Sequence, residues 1–256
     1  MDRCAYLVNS TPKYYGILPL HFKLIKRYAP LLTMPLFLAT EEPEHPVCRQ
    51  VAAMGVEIIP LAKADAGFLD SRRAALEVLR GRYEYVLPMQ EDFLLDRAPD
   101  FNAIESAFDL LKEHTSVRLM PCPGPGGPQL GNDPNLAHWA RIANNDTYAF
   151  TFQATVWRLE DCYSWYRALC DKLELEWPKA TTSEEKRRHV EIRGNFAENA
   201  EGQRFFWEVC KGTHIGWRRA GPWSNAVYLS PWPYRPTAIV QGKLEAWAVE
   251  LGKREM

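Results

Sequence analysis

No two of the six cysteines in this 256-residue chain form a C-x-x-C pair. That absence removes the ligand spacing of zinc fingers and ribbons. A surplus of charge is missing too: 31 Lys and Arg stand against 32 Asp and Glu, a net charge of −1. Non-specific binding along a phosphate backbone needs a basic excess to release counterions, so no nucleic-acid partner is expected. No apolar run approaches the ~20 residues that span a bilayer; the longest, such as Ile17–Leu20 and Pro35–Ala39, are far shorter. The start, Met1-Asp2-Arg3-Cys4, carries no apolar signal segment, and the scattered cysteines then read as reduced thiols of a cytoplasmic protein. No G-x-G-x-x-G follows the first apolar run, which disfavours a dinucleotide-binding oxidoreductase. Internal repeats are absent as well.

What remains is a globular composition. Hydrophobic residues make up 46% and charged residues 25%, with 9 Trp, 11 Tyr and 11 Phe, which excludes intrinsic disorder. Short apolar runs alternate with stretches of helical spacing. Cys4–Asn9, Met34–Ala39, Val56–Leu61 and Tyr85–Met89 read as buried strands. Leu20–Leu32, Pro46–Met54 and Ser71–Gly81 read as the helices between them, the last capped by Ser71. A helix over Phe101–His114 and a strand over Val117–Met120 follow. The Pro/Gly-rich stretch from Pro121 to about Asn145 reads as a binding loop or lid. Beyond it come a strand over Tyr148–Trp157 and helices over Leu159–Leu173 and Phe196–Cys210, separated by a charged segment, Thr181–Arg193. Strands and turns are expected from Gly216 to Lys243.

This alternation predicts an α/β fold: a mostly parallel central sheet with flanking helices. In such sheets the ligand sits outside the carboxyl ends of the strands. Asn9–Thr11, Thr40–Glu42, Ala62–Arg72 and Gln90–Asp92 should therefore converge on one crevice.

Within that crevice the pair Glu91-Asp92 ends an apolar strand and precedes Phe93-Leu94-Leu95. Two adjacent acids between apolar runs need a cation or donors close by. A divalent ion bridging diphosphate oxygens supplies one; a helix cap or a surface pair is the plainer alternative. Arg72, in the first turn of its helix, opposes the helix dipole unless an anion is present. Asn9, Ser10 and Thr11 offer donors to a nucleotide, or simply form a turn. Gln153 shares a predicted strand face with Thr151, Thr155 and Trp157, although Trp157 itself reads as core. The Pro231–Pro236 segment reads equally as a rigid cover or as a sugar-facing wall.

The order of these pieces resembles a family. Leu87–Leu95, containing Gln90-Glu91-Asp92-Phe93-Leu94-Leu95, is followed by Val117–Pro123 and by Tyr148–Trp157 with its Gln153, Ala154 and Trp157. Together they are similar to bacterial and viral polysaccharide-type glycosyltransferases of the GT-A fold. Asn195-Phe196-Ala197-Glu198-Asn199 resembles the segment that supplies the acid of the acceptor side, and Val240-Gln241-Gly242-Lys243 the close of such domains. The resemblance runs from Cys4 to about Lys243. It implies a single GT-A-like domain over 1–256, with a nucleotide-sugar half (1–115) and an acceptor half with an aromatic tail (116–256).

The resemblance further implies a nucleotide-diphosphate sugar as donor, with Mn²⁺ or Mg²⁺ held by a D-x-D motif. Here Gln90 stands where the first aspartate would be, which leaves Asp92 as the metal ligand with Glu91 beside it. His214, in a Gly-flanked turn, is placed as a late third ligand. Asn9, Ser10, Thr11, Arg72, Gln90, Glu91, Gln153 and Lys243 are the residues expected around the donor. Asp92 and Glu198 are expected to be catalytic, Glu198 as general base with Glu201 as its rival. The implied acceptor is a glycan or surface-polysaccharide precursor, with peripheral contact to a lipid-linked form, and the implied outcome is inverting. Two other readings stand beside this one: a non-catalytic nucleotide-sugar or carbohydrate-binding module, favoured by Gln90, and a two-carboxylate glycoside hydrolase.

Overall fold

A computed structural model describes residues 1–63, 67–120, 138–143, 148–176, 196–218, 230–235, 238–240 and 243–255. The all-buried run Cys4–Asn9 forms β1, and a 3₁₀ turn over Pro12–Ile17 leads into helix α1, Leu18–Tyr28. Then come β2 (Leu36–Thr40), α2 (Pro46–Ala52), β3 (Val56–Pro60), α3 (Phe68–Leu79) and β4 (Tyr85–Gln90). The short β5 (Leu94–Leu95), α4 (Phe101–Leu110), β6 (Ser116–Arg118) and β7 (Trp139–Arg141) follow. Next are β8 (Thr155–Arg158), α5 (Leu159–Glu176), α6 (Ala200–Val209) and β9 (His214–Trp217). Three two-residue strands, β10 (Tyr234–Arg235), β11 (Ile239–Val240) and β12 (Lys243–Leu244), precede α7, Ala246–Glu255.

Eight of these strands form one sheet in the order β3-β2-β1-β4-β8-β6-β9-β7. β3, β2, β1 and β4 are parallel to one another, while β8 runs antiparallel to both β4 and β6. β9 is parallel to β6, and β7 closes the far edge antiparallel to β9. The fold is thus α/β with a mostly parallel central sheet and helices on its faces. Alternate residues of β1 feed two cores. Cys4, Tyr6 and Val8 pack with α1, Trp232 and Leu251 on one face, and Ala5 and Leu7 pack with α3, α5 and α6 on the other.

Local differences from the sequence expectations have local causes. α3 starts at Phe68 with Gly67 as its N-cap, and the Ser71 hydroxyl bonds back to the Phe68 carbonyl instead of capping. The strand expected over Tyr148–Trp157 is only Thr155–Arg158. Its first half is drawn off by the Gln203 amide, which bonds both the N–H and the carbonyl of Phe150 at 2.9 Å. β7 lies within the expected loop stretch, whose 121–137 and 144–147 portions, like Thr181–Arg193, fall outside the described residues. α7 was not anticipated at all. Among the described residues no helix is long and apolar enough to cross a membrane.

Candidate functional site

β1 is flanked by β2 on one side and by β4 on the other, so the strand order reverses between β1 and β4. At such a reversal the connecting loops diverge and leave a crevice at the carboxyl ends. Asn9 and Gln90 are register partners at its floor. Asn9 is 9% exposed, and among the described residues neither its amide nitrogen nor its amide oxygen has a hydrogen-bond partner. Buried amides are almost always paired, which makes this one an exception at the floor of the crevice.

The neighbouring loops converge as the strand order requires. Ser10 donates its N–H to Ala39 O at 3.2 Å, and its hydroxyl lies 3.5 Å from Glu91 Oε1. Leu61 N–H reaches Thr40 O at 2.8 Å, which ties the end of β3 to the end of β2. Arg72 comes from below. Its side chain is buried, and the guanidinium donates to Leu7 O at 3.4 Å and to Met89 O at 3.0 Å. It therefore braces β1 against β4 directly beneath the crevice. Thr11 is half-buried and opens the 3₁₀ turn without a side-chain capping bond.

Glu91 and Asp92 stand on the turn that follows β4. Burial pushes the Glu91 carboxyl up from 4.5 to about 7; neighbouring Asp92 adds to the rise, while Arg72 and the Ser10 hydroxyl oppose it. Asp92 is raised chiefly by burial, and the N–H of Ile239 bonded to its carboxylate works against that. Below the turn, His21 of α1 bonds the Glu91 carbonyl through Nδ1 at 3.0 Å and the Tyr6 hydroxyl through Nε2 at 2.9 Å.

The facing wall is built by the segment before β8, by the start of α6 and by the C-terminal strands. Glu198 Oε1 accepts the Thr151 hydroxyl at 2.7 Å and the Phe152 N–H at 2.9 Å. Among the described residues its other oxygen has no partner. Because Thr155 of β8 pairs with Arg118, the last residue of β6, this segment lies beyond the carboxyl end of β6, on the crevice side. Gln203 adds a bond to Ala197 O at 3.0 Å, so one amide fixes both chains that carry the Glu198 contacts. Tyr234 donates its hydroxyl to Gln153 Oε1 and stacks on Phe93 with centroids 4.5 Å apart. The charges of Asp92 and Glu198 both act on this phenol, which places the two walls around it. Glu201 lies exposed in the first turn of α6.

Tyr234 belongs to the Pro231–Pro236 segment, read equally as a sugar-facing wall or a rigid cover, whereas two residues were not singled out from the sequence: His21 and Gln203. His21 occupies the same helical face as Leu18, Phe22 and Ile25, and Gln203 that of Phe206; a polar residue on an apolar stripe was the available signal.

The structure does not bring His214 to Asp92. His214 pairs with Ser116 in a row level with Val86, near the amino end of β4 and six residues before Asp92. It is 1% exposed; Nε2 faces Cys210 O at 3.3 Å and Nδ1 faces the Ser116 hydroxyl at 2.8 Å. A carbonyl only accepts, so Nε2 carries the proton and the Nδ1 lone pair is spent on Ser116. Burial among Trp157, Phe206 and Trp207 lowers its pKa to about 4. The expected Asp92–His214 ligand pair is therefore corrected. Among the described residues no three His, Cys, Asp or Glu side chains group as a metal site. Gln90 is uncharged and Asp92 accepts the Ile239 N–H, so among the described residues the turn offers two adjacent carboxylates, Glu91 and Asp92, and not a closed all-protein cage for Mn²⁺ or Mg²⁺. Lys243 is exposed on β12, the hairpin strand paired with β11.

No protein-family profile matches the chain, and no curated protein sequence matches it. Among solved structures, 4-diphosphocytidyl-2C-methyl-D-erythritol synthase from Anaerococcus prevotii is similar over 77% of this chain and 83% of its own, at 10% identity and a TM-score of 0.43. S. aureus TarS, residues 1–349, is similar over 76% of this chain and 55% of that one, at 15% identity and a TM-score of 0.42.

Proposed function

We propose that the protein transfers a sugar from a nucleoside-diphosphate donor to a hydroxyl of a glycan acceptor, with inversion and with Glu198 as general base. The observation that carries this reading is the state of Glu198. One of its oxygens is fixed by two donors and the other is unpartnered among the described residues, at the carboxyl end of the sheet and across Tyr234 from Asp92. A base must be oriented before the acceptor arrives, and two bonds to a single oxygen do that while leaving the second free for the proton.

The donor's nucleotide is assigned to the crevice over Asn9, whose unpaired amide offers both a donor and an acceptor. The acceptor hydroxyl gives its proton to Glu198 Oε2 as its oxygen bonds the anomeric carbon. The bond from that carbon to the diphosphate oxygen breaks, and the nucleoside diphosphate leaves with the electron pair. Glu91, poised near neutrality, can take up a proton as the diphosphate approaches, so the acid pair need not repel it. No step is routed through a metal ion. Gln153 and Tyr234 close the site between donor and acceptor sides, and Asp92 orders the turn through its bond to Ile239.

A thermal-shift screen against UDP, GDP, CDP and dTDP, each with Mn²⁺, Mg²⁺ or EDTA, tests the donor half. A ligand of the native state raises the melting temperature by mass action. A rise with one nucleotide that persists in EDTA is expected, and no rise with any of them would remove the transferase reading.

A further inference from the structure

We propose that His21 is a positioning residue: it holds the turn carrying Glu91 and Asp92 against the floor of the crevice. The chemistry fixes its tautomer. Nδ1 faces the Glu91 carbonyl at 3.0 Å, and a carbonyl can only accept, so Nδ1 carries the proton and Nε2 accepts the Tyr6 hydroxyl at 2.9 Å. The ring is 1% exposed and packs on Tyr6 and Phe22. It therefore cannot exchange these partners for water. Tyr6 belongs to β1 and is itself locked under Trp232. The chain Tyr6–His21–Glu91 thus ties the turn after β4 to the middle of the neighbouring strand by way of a helix. Above the turn, the Ser10 hydroxyl and the Ile239 N–H meet the two carboxylates, so the backbone is held from below and the side chains from above.

A packing residue and a positioning residue predict opposite results in matched variants. Tyr6→Phe/His21→Leu replaces both polar partners by apolar groups, which leaves a core nearly neutral or more stable. It also removes the donor to Glu91 O. Tyr6→Phe/His21→Asn lacks the same Tyr6 bond but places an amide N–H close to where Nδ1–H stood, at the cost of a polar group in an apolar site.

The readout is amide hydrogen exchange of peptides covering 90–95 in the ligand-free protein, with melting temperature and nucleoside-diphosphate affinity measured beside it. The Leu variant is expected to melt at or above the Asn variant while its turn exchanges about tenfold faster, the Asn variant staying near wild type; one lost hydrogen bond corresponds to a change of that order. Affinity for the nucleotide should fall with the turn, about tenfold in the Leu variant only. Equal exchange in the two variants, or exchange that merely follows melting temperature, would overturn the positioning role. The inference concerns the site assigned above to a nucleotide. If wild type binds none of the four nucleotides, that assignment fails, while the exchange comparison still decides the role of His21.

Discussion

The Thr151 hydroxyl and Glu198 share a 2.7 Å hydrogen bond at Oε1, the oxygen that also receives the Phe152 N–H. In Glu198→Gln the amide must keep its oxygen on those two donors, so its NH₂ takes the place of Oε2 and no proton can be accepted there. Turnover should fall by about 10²-fold or more, with nucleotide affinity essentially unchanged. Thr151→Val releases one of the two restraints and should cost about tenfold. Steady-state kinetics with donor and acceptor varied separately check both; full activity in Glu198→Gln together with loss in Glu201→Gln would move the role to Glu201.

Asn9 should show a conflict between stability and binding. Its buried amide has no partner among the described residues, and an unsatisfied amide costs about 1–3 kcal/mol. Asn9→Leu is close in volume and is expected to raise the melting temperature of the ligand-free protein. The same variant should lose the thermal shift given by the nucleotide. Denaturant unfolding with and without nucleotide measures both effects, and a destabilised Asn9→Leu that still binds would take Asn9 out of the site.

This residue also marks how far the sequence could be read. The apolar run Cys4–Asn9 stops at Asn-Ser-Thr-Pro, and the observed β1 has those same bounds, because a fully buried parallel strand announces itself as an uninterrupted apolar run. The convergence of Asn9, Ser10 and Glu91 followed from alternating strands and helices alone. His214 was misplaced for the opposite reason. Its height in the sheet depends on Ser116 pairing with it across 98 residues, and no local pattern encodes that register. Tyr234 was read as a residue that could face a sugar, but its partner was not legible, since the contact with Gln153 joins residues 81 apart. Arg72 was expected at the crevice and stands there, but beneath it, on the carbonyls of Leu7 and Met89.

Glu91 sets a pH dependence with a definite sign. Its folded-state pKa is raised from 4.5 to about 7, so between those values the folded protein holds a proton that the unfolded chain has lost. The stability tied to this proton is full below about 4.5 and is lost as pH rises through 7. Glu91→Gln mimics the protonated form. It should melt with wild type at pH 4 and a few degrees above it at pH 8. Neutral, buried His21 favours the opposite trend at low pH, but it is common to both proteins and cancels in their difference. Parallel melting curves over that range would show that Glu91 ionises normally.

Chelation should leave the ligand-free protein unaffected. The Nδ1 lone pair of His214 is taken by Ser116, and the ring lies among Trp157, Phe206 and Trp207. His214→Ala should therefore cost about 2–4 kcal/mol through lost packing and an orphaned hydroxyl. The loss should be identical in EDTA and in Mn²⁺. A wild-type melting temperature that drops on adding EDTA would restore a metal site that does not include His214.

Gly202 links helix packing to the position of Glu198. It lies in the first turn of α6, and a Cβ there would stand 1.9 Å from the Phe196 carbonyl oxygen and 3.0 Å from the Ala197 carbonyl carbon. Both contacts are backbone, so neither can yield by a side-chain rotation. Gly202→Ala must push the chain leading into Glu198 away from the helix. Asn199, which caps α6 by accepting from Glu201 N and Gly202 N, would be carried with it. The displacement strains the Gln203 bond to Ala197 O and the two bonds at Glu198 Oε1 together. Gly202→Ala should thus lose about 2 kcal/mol or more of stability. In the fraction that remains folded, turnover should fall while nucleotide affinity is retained, because Asn9 and the turn after β4 lie on the other wall. Gly212→Ala is the control: its Cβ would meet the Thr115 side chain at 1.8 Å. It should destabilise the fold without selectively lowering turnover, since Thr115 precedes β6 at the amino end of the sheet. Equal losses of turnover per unit of lost stability in the two variants would mean that α6 supports the fold but does not set the position of Glu198.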